Sequence, residues 1–167
     1  MSKNKKPAKK YRPRLVNPAM ILNQVLMRAQ ALASTDKLED SQQTALSLRN
    51  WASFNAITKG NGEEFHANDL VNAANVALVM AEAGLGREFI PHIRAAQRSI
   101  VTMGARHEQR GKWLFTGQEI QLVREMLEIH DAQLQSDDCT EGYLMKCIEE
   151  VKARIVRGQV DKLEALA

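Results

Sequence analysis

Long uninterrupted apolar runs are missing from this chain, and nothing approaches the roughly 18 to 20 consecutive apolar residues that cross a bilayer. A membrane-spanning helix is therefore not expected. Aromatic residues make up only 5%, and alternating β-branched patterns are nearly absent, which argues against a sheet. Cysteine is limited to Cys139 and Cys147, with no paired CxxC; neither a disulfide framework nor a zinc site is indicated, and the pattern suits reduced thiols in a cytosol. Acidic residues are absent from the first 17 positions, which hold Lys3, Lys5, Lys6, Lys9, Lys10, Arg12 and Arg14. The remaining 16 basic and 20 acidic residues leave the body at about −4, although the whole chain reads +3.

That partition describes a basic arm tethered to a mildly acidic globule. Pro7 and Pro13 oppose helix formation, so residues 1–17 are expected to be a flexible arm that orders on binding. Lys5, Lys6, Lys9, Lys10, Arg12 and Arg14 suit phosphates or an acidic partner surface, and Tyr11 suits stacking on a base or insertion into a pocket. The plainer alternative is a solubilising tail. The stretch from Leu15 to Leu26 followed by Ala29-Gln30-Ala31 imitates a secretory leader, but Asn17, Pro18, Asn23, Gln24 and Arg28 interrupt its apolar core. A cytoplasmic protein is expected.

At 167 residues and 44% hydrophobic, the rest fits a single compact domain over residues 18–158, with a short tail at 159–167. The 3.6-residue period predicts an all-α bundle of about six helices. The first runs from Pro18 to Ala33, capped by Asn17, with Ile21, Leu22, Val25, Ala29 and Leu32 inward. The second, from Asp40 or Ser41 to Lys59, turns Leu48, Trp51 and Ala52 to the core. The third, Ala67 to Ala83, is apolar almost all round except for a strip of Asn68, Asn72 and Asn75, and belongs at the centre. The fourth spans Glu88 to Arg110 around Phe89, Ile93, Ala96, Ile100, Met103 and His107. Thr116-Gly117-Gln118-Glu119 is a capping box opening the fifth, which reaches Gln135. Thr140 caps the sixth, which ends at Gly158 with Leu144, Cys147, Ile148, Val151 and Ile155 inward.

The residues that carry chemistry do not assemble into a known motif. His66, His92, His107 and His130 form no HExxH motif and do not supply the two ExxH motifs of a di-iron bundle; no calcium loop, P-loop or GxSxG elbow is present. No catalytic residue, metal or cofactor is implied, and the protein is not expected to be an enzyme. Glu88 and His92, one helical turn apart, suit two metal ligands or an ordinary surface pair, and His130 is the most interesting histidine, because its helical spacing with Ile120, Val123, Leu127 and Leu134 turns it coreward beside Asp131. A hydrogen-bonded core residue is the expected role.

Two further features bear on binding. At ~100° per residue Arg87, Arg94 and Arg98 align within ~20° on the fourth helix over about 16 Å, a rail suited to phosphates or an acidic surface, or else a solvated face paired with neighbouring carboxylates. Trp113, Leu114 and Phe115, the bulky run between the fourth and fifth helices, are expected to plug the bundle end; exposed, they or the asparagine strip would form a partner or homo-oligomer interface.

Three segments carry a resemblance: Lys9-Lys10-Tyr11-Arg12-Pro13-Arg14, Gly86-Arg87-Glu88-Phe89, and Ile129-His130-Asp131-Ala132-Gln133-Leu134. Through them the chain resembles small, mostly uncharacterised proteins of tailed bacteriophages and prophages of proteobacteria. The resemblance implies a setting, the bacterial cytosol during infection or lysogeny, where accessory proteins bind and redirect host machinery; it carries over no functional residue. The expected function is non-enzymatic binding and modulation of a host or phage protein complex, such as a defence or nucleic-acid-processing machinery. The alternative is direct, weakly sequence-selective nucleic-acid binding through the arm and the arginine rail.

Overall fold

The computed structural model describes residues 18–159, with side chains from Asn23 onward. The arm with Lys5, Lys6, Lys9, Lys10, Tyr11, Arg12 and Arg14, and the tail beyond Gln159, lie outside the described residues. Among those described, the chain is all-α: α1 (Pro18–Ala33), α2 (Asp40–Thr58), α3 (Glu64–Glu82), a 3-10 turn (Arg87–Phe89), α4 (Ile90–Arg110), α5 (Gly117–Gln135) and α6 (Glu141–Val156). None of these helices is long and apolar enough to cross a membrane.

The boundaries follow local chemistry. At the start of α5 the Thr116 amide donates to Glu119 Oε2 at 2.7 Å and the Glu119 amide to Thr116 Oγ1 at 3.5 Å, the reciprocal capping box expected from sequence. Thr140 accepts from the Tyr143 amide at 3.1 Å to open α6. Between α3 and α4, Gly86 adopts φ 87°, a left-handed conformation open to glycine at little cost. The chain then tightens into the 3-10 turn, and Pro91 sits in the first turn of α4, where it has no amide to leave unpaired. The fourth helix therefore starts two residues later than its sequence pattern suggested.

Helix α3 is the hub, touching α2, α4, α5 and α6. Ala67, Ala73, Ala74, Ala77 and Ala81 are buried along it, and their small side chains let neighbouring helices approach. Two apolar clusters share it. One joins α3 to α2, α4 and α5 through Phe54, Ile57, Leu70, Ile93, Ile100, Met103, Phe115 and Leu127. The other joins it to α5, α6 and the α1–α2 loop through Leu38, Val79, Met80, Leu134, Leu144 and Cys147. Each fully buried Leu, Ile or Met contributes about 1.5–3 kcal/mol relative to an exposed one. The α1–α6 pair is locked at its end by Gly142, where a Cβ would collide with the carbonyl oxygen of Ser34 and lie 3.0 Å from that of Leu32.

Two inward faces differ from their sequence patterns. In α1, Val25 is 57% exposed, Ala29 is exposed and Leu32 only half-buried, because the main helix contact of α1 is with α6 at the edge of the bundle. In α2, Leu48 is 64% exposed and Ala52 faces solvent, whereas Asn50, Ser53, Phe54 and Ile57 are buried. The inverted choice has a polar cause: Ser53 Oγ donates to Asp69 Oδ2 at 2.9 Å, and Arg49 bonds the other oxygen of the same carboxylate. Turning Leu48 inward would strand Asp69 on α3 without these partners.

Candidate functional site

The arginine rail does not form as one line. Arg87 belongs to the 3-10 turn, outside the regular α4 spacing. Arg94 and Arg98 remain one turn apart on α4, and Arg94 donates to Glu82 at 3.2 Å. Glu82 also receives Arg154 of α6 at 2.6 Å, and Arg154 reaches Glu150 at 2.8 Å. What the structure assembles is a cleft of about 400 Å³ in which Arg94, Arg98 and Arg154 meet Glu82, Asn75 and Gln97. Arg98 has no carboxylate partner among the described residues. Asn75, expected on the exposed polar strip, is buried and accepts from Gln97 Nε2 at 2.8 Å, while Asn68 and Asn72 are exposed.

The Trp113-Leu114-Phe115 run plugs the bundle end. Phe115 is buried in the core, 6.3 Å from the Phe54 ring centroid, and Trp113 lies flat on His107 at 4.0 Å; only Leu114 is exposed. Arg106 fastens the loop by donating to the Leu114 carbonyl at 2.9 Å while gripping both oxygens of Glu119 at 2.7 and 2.5 Å. Burial raises the Glu119 pKa, but the Arg106 guanidinium and the Thr116 amide and hydroxyl outweigh it and hold the carboxyl below its ordinary value.

The histidines have separate settings. His66 Nδ1 accepts the Glu63 amide at 3.1 Å as part of the α3 cap. His92 packs edge-on to Phe89, ring centroids 6.3 Å apart. His130 is buried, as its spacing implied, but Asp131 turns the other way, accepting from Trp51 Nε1 at 2.7 Å and Ser47 Oγ at 3.0 Å. Burial lowers the His130 pKa, only partly opposed by Gln133 and Asp131, and keeps the imidazole neutral. Cys139 and Cys147 are buried and free; burial raises both thiols, Cys147 to about 11. Among the described residues no three His, Cys, Asp or Glu side chains converge in a way that would hold a metal ion.

A surface that sequence reasoning missed lies between the 3-10 turn and α5. Leu85, Gly86, Phe89 and His92 face Ile129 and Ala132 across an open, mostly apolar groove of about 610 Å³, bordered by Glu125 and Glu128. Phe89 is 39% exposed there, although its spacing had suggested a core position. Gln133 ties the two sides together, its Nε2 donating to the carbonyls of Leu85 at 2.8 Å and Ala77 at 3.1 Å. The groove thus brings Gly86 to Phe89 next to Ile129 to Gln133, segments about forty residues apart in sequence that had been singled out separately. Their proximity was set by the α4–α5 packing.

No family model, curated protein or solved structure matches this chain. The reading of the site rests on its geometry. Two surfaces are in place: the acid-bordered apolar groove at Phe89 and the arginine cleft at Arg98.

Proposed function

We propose that the protein is a non-enzymatic accessory protein of the phage or prophage type, which binds and modulates a host or phage protein complex in the bacterial cytoplasm. The observation that carries this reading is the groove in which the exposed Phe89 and Leu85 face Ile129 and Ala132. An open apolar trough with Glu125 and Glu128 on its border suits an amphipathic segment whose apolar side chains enter the trough and whose Lys or Arg residues meet the carboxylates. Defence and nucleic-acid-processing complexes are the target classes that the phage resemblance favours.

A second reading, direct and weakly selective nucleic-acid binding, draws support from Arg98, which lacks a carboxylate partner among the described residues, and from the seven cations of residues 1–17. The body outside that arm is acidic on balance, with 16 basic and 20 acidic residues, and this tilts the choice to a protein partner.

Affinity capture of the tagged full chain from bacterial lysate, with and without nuclease, separates the two. A stoichiometric protein that survives nuclease and is lost with Phe89→Asp supports the groove. Recovery of nucleic acid alone, abolished by salt or by removal of residues 1–17, replaces it with the second reading.

A further inference from the structure

Between α2, α3, α5 and α6 lies a recess of about 310 Å³ that is distinct from the groove at Phe89. Its walls are apolar: Leu46 from α2, Val76 from α3, Leu134 from α5, and Leu144, Ile148 and Ile155 from α6. Three buried polar side chains stand among them, His130 at 4% exposure and Asn50 and Asp69 at 8%, and the exposed Arg49, Asn72 and Lys152 also line it. Neither the Asn50 amide nor His130 Nε2 has a hydrogen-bond partner among the described residues, and both side chains line the recess. Both are within reach of water, and a bound donor or acceptor would take the place of that water.

The protonation of His130 follows from its neighbour. Gln133 spends its Nε2 hydrogens on the carbonyls of Ala77 and Leu85, which fixes its Oε1 as the atom 3.4 Å from His130 Nδ1. An amide oxygen only accepts, so Nδ1 carries the hydrogen, and the neutral ring presents the Nε2 lone pair to the recess. The charges at the rim are already matched, Arg49 by Asp69 and Lys152 by Glu149. An ionic ligand therefore gains little here. A volume near the lower end of small-molecule pockets, with apolar walls and a few convergent polar groups, suits a compound of one or two rings.

We propose that this recess is a binding site for a small, neutral, mostly apolar molecule bearing a hydroxyl or N–H group, which donates to His130 Nε2 while the Asn50 amide flanks it. The proposal does not depend on the partner reading of the Phe89 groove.

The test uses the full chain, isotope-labelled, titrated with 2-naphthol and with its donor-blocked counterpart 2-methoxynaphthalene. Saturable shifts are expected at the methyls of Val76, Leu144 and Ile148 and at His130 Nε2, with 2-naphthol binding about tenfold more tightly, the equivalent of one neutral hydrogen bond. Ile148→Trp, which fills the recess from its half-buried wall, abolishes the shifts and keeps the helical spectrum. His130→Phe, where it folds, equalises the two probes. Absence of saturable shifts at the recess with millimolar 2-naphthol, equal affinity of the ether for the unmodified chain, or binding that survives Ile148→Trp overturns the proposal.

Discussion

Replacing Glu119 by Ala removes one carboxylate that serves two elements at once. It closes the capping box of α5 through the Thr116 amide at 2.7 Å and grips Arg106 of α4 at 2.7 and 2.5 Å. Loss of half a capping box costs about 1 kcal/mol, and loss of a charge-assisted pair at a largely buried site costs about 1.5–3 kcal/mol more. Arg106 keeps part of its surface in water and its bond to the Leu114 carbonyl, so the guanidinium is not fully stranded. The expected total is about 3 kcal/mol, a drop in Tm of about 9 °C for a domain of this size. Chemical and thermal denaturation of Glu119→Ala, Arg106→Ala and the double variant measure it, with a coupling of about 2 kcal/mol expected from the cycle. Because the folded-state pKa of Glu119 lies below its unfolded value, its contribution is present above about pH 4.3 and fades as pH falls through the folded value. Glu119→Ala should therefore flatten that part of the acid limb. Additive single variants, each costing less than about 0.5 kcal/mol, would refute the reasoning.

Gly142→Ala gains about 1 kcal/mol of helix propensity, but its Cβ meets the Ser34 and Leu32 carbonyls, so a net loss of about 2 kcal/mol is expected, seen as a lower Tm and faster amide exchange at the α1–α6 junction. A rise in Tm would mean that this backbone approach is not maintained in solution. The Cys147 thiol, pushed up to about 11 by burial, should resist a thiol reagent at pH 8 in the folded protein and react on unfolding. Since the unfolded thiol ionises first, stability should also fall as pH rises from about 8.5 toward that folded value. Histidine 130 works in the opposite direction: with its folded pKa lowered by burial, stability should decline as pH drops below about 6.5 and level off beneath the folded value, and His130→Phe should remove that slope. Urea midpoints across pH check both, and an unchanged slope in His130→Phe excludes the buried neutral imidazole.

Secondary structure was legible wherever a local signal was decisive. The Thr116 and Thr140 caps and the apolar run of α3 are interactions among residues three or four apart, so the chain declares them without its neighbours. The orientation of α2 was not legible, because its inner face was chosen by a carboxylate on another helix: Asp69 draws Ser53 and Arg49, and Leu48 is left outside. The arginine rail failed for a related reason. Spacing along a helix predicts alignment only while the helix continues, and the 3-10 turn at Arg87 breaks that register, while Glu82 takes Arg94 and Arg154.

Composition, periodicity and capping alone therefore determined an all-α chain, the starts of α1, α2, α5 and α6, the charge partition along the sequence, and the inward turn of His130. Tertiary packing decided which polar groups were satisfied and which were left facing a recess. It paired Asp131 with Trp51 rather than with His130, joined the segments around Phe89 and Ile129 into one groove, and opened the pocket over Asn50. The physical reason is one of range: helix propensity and capping act within a turn, whereas the desolvation of a carboxylate, an amide or an imidazole depends on whatever residue folding brings beside it.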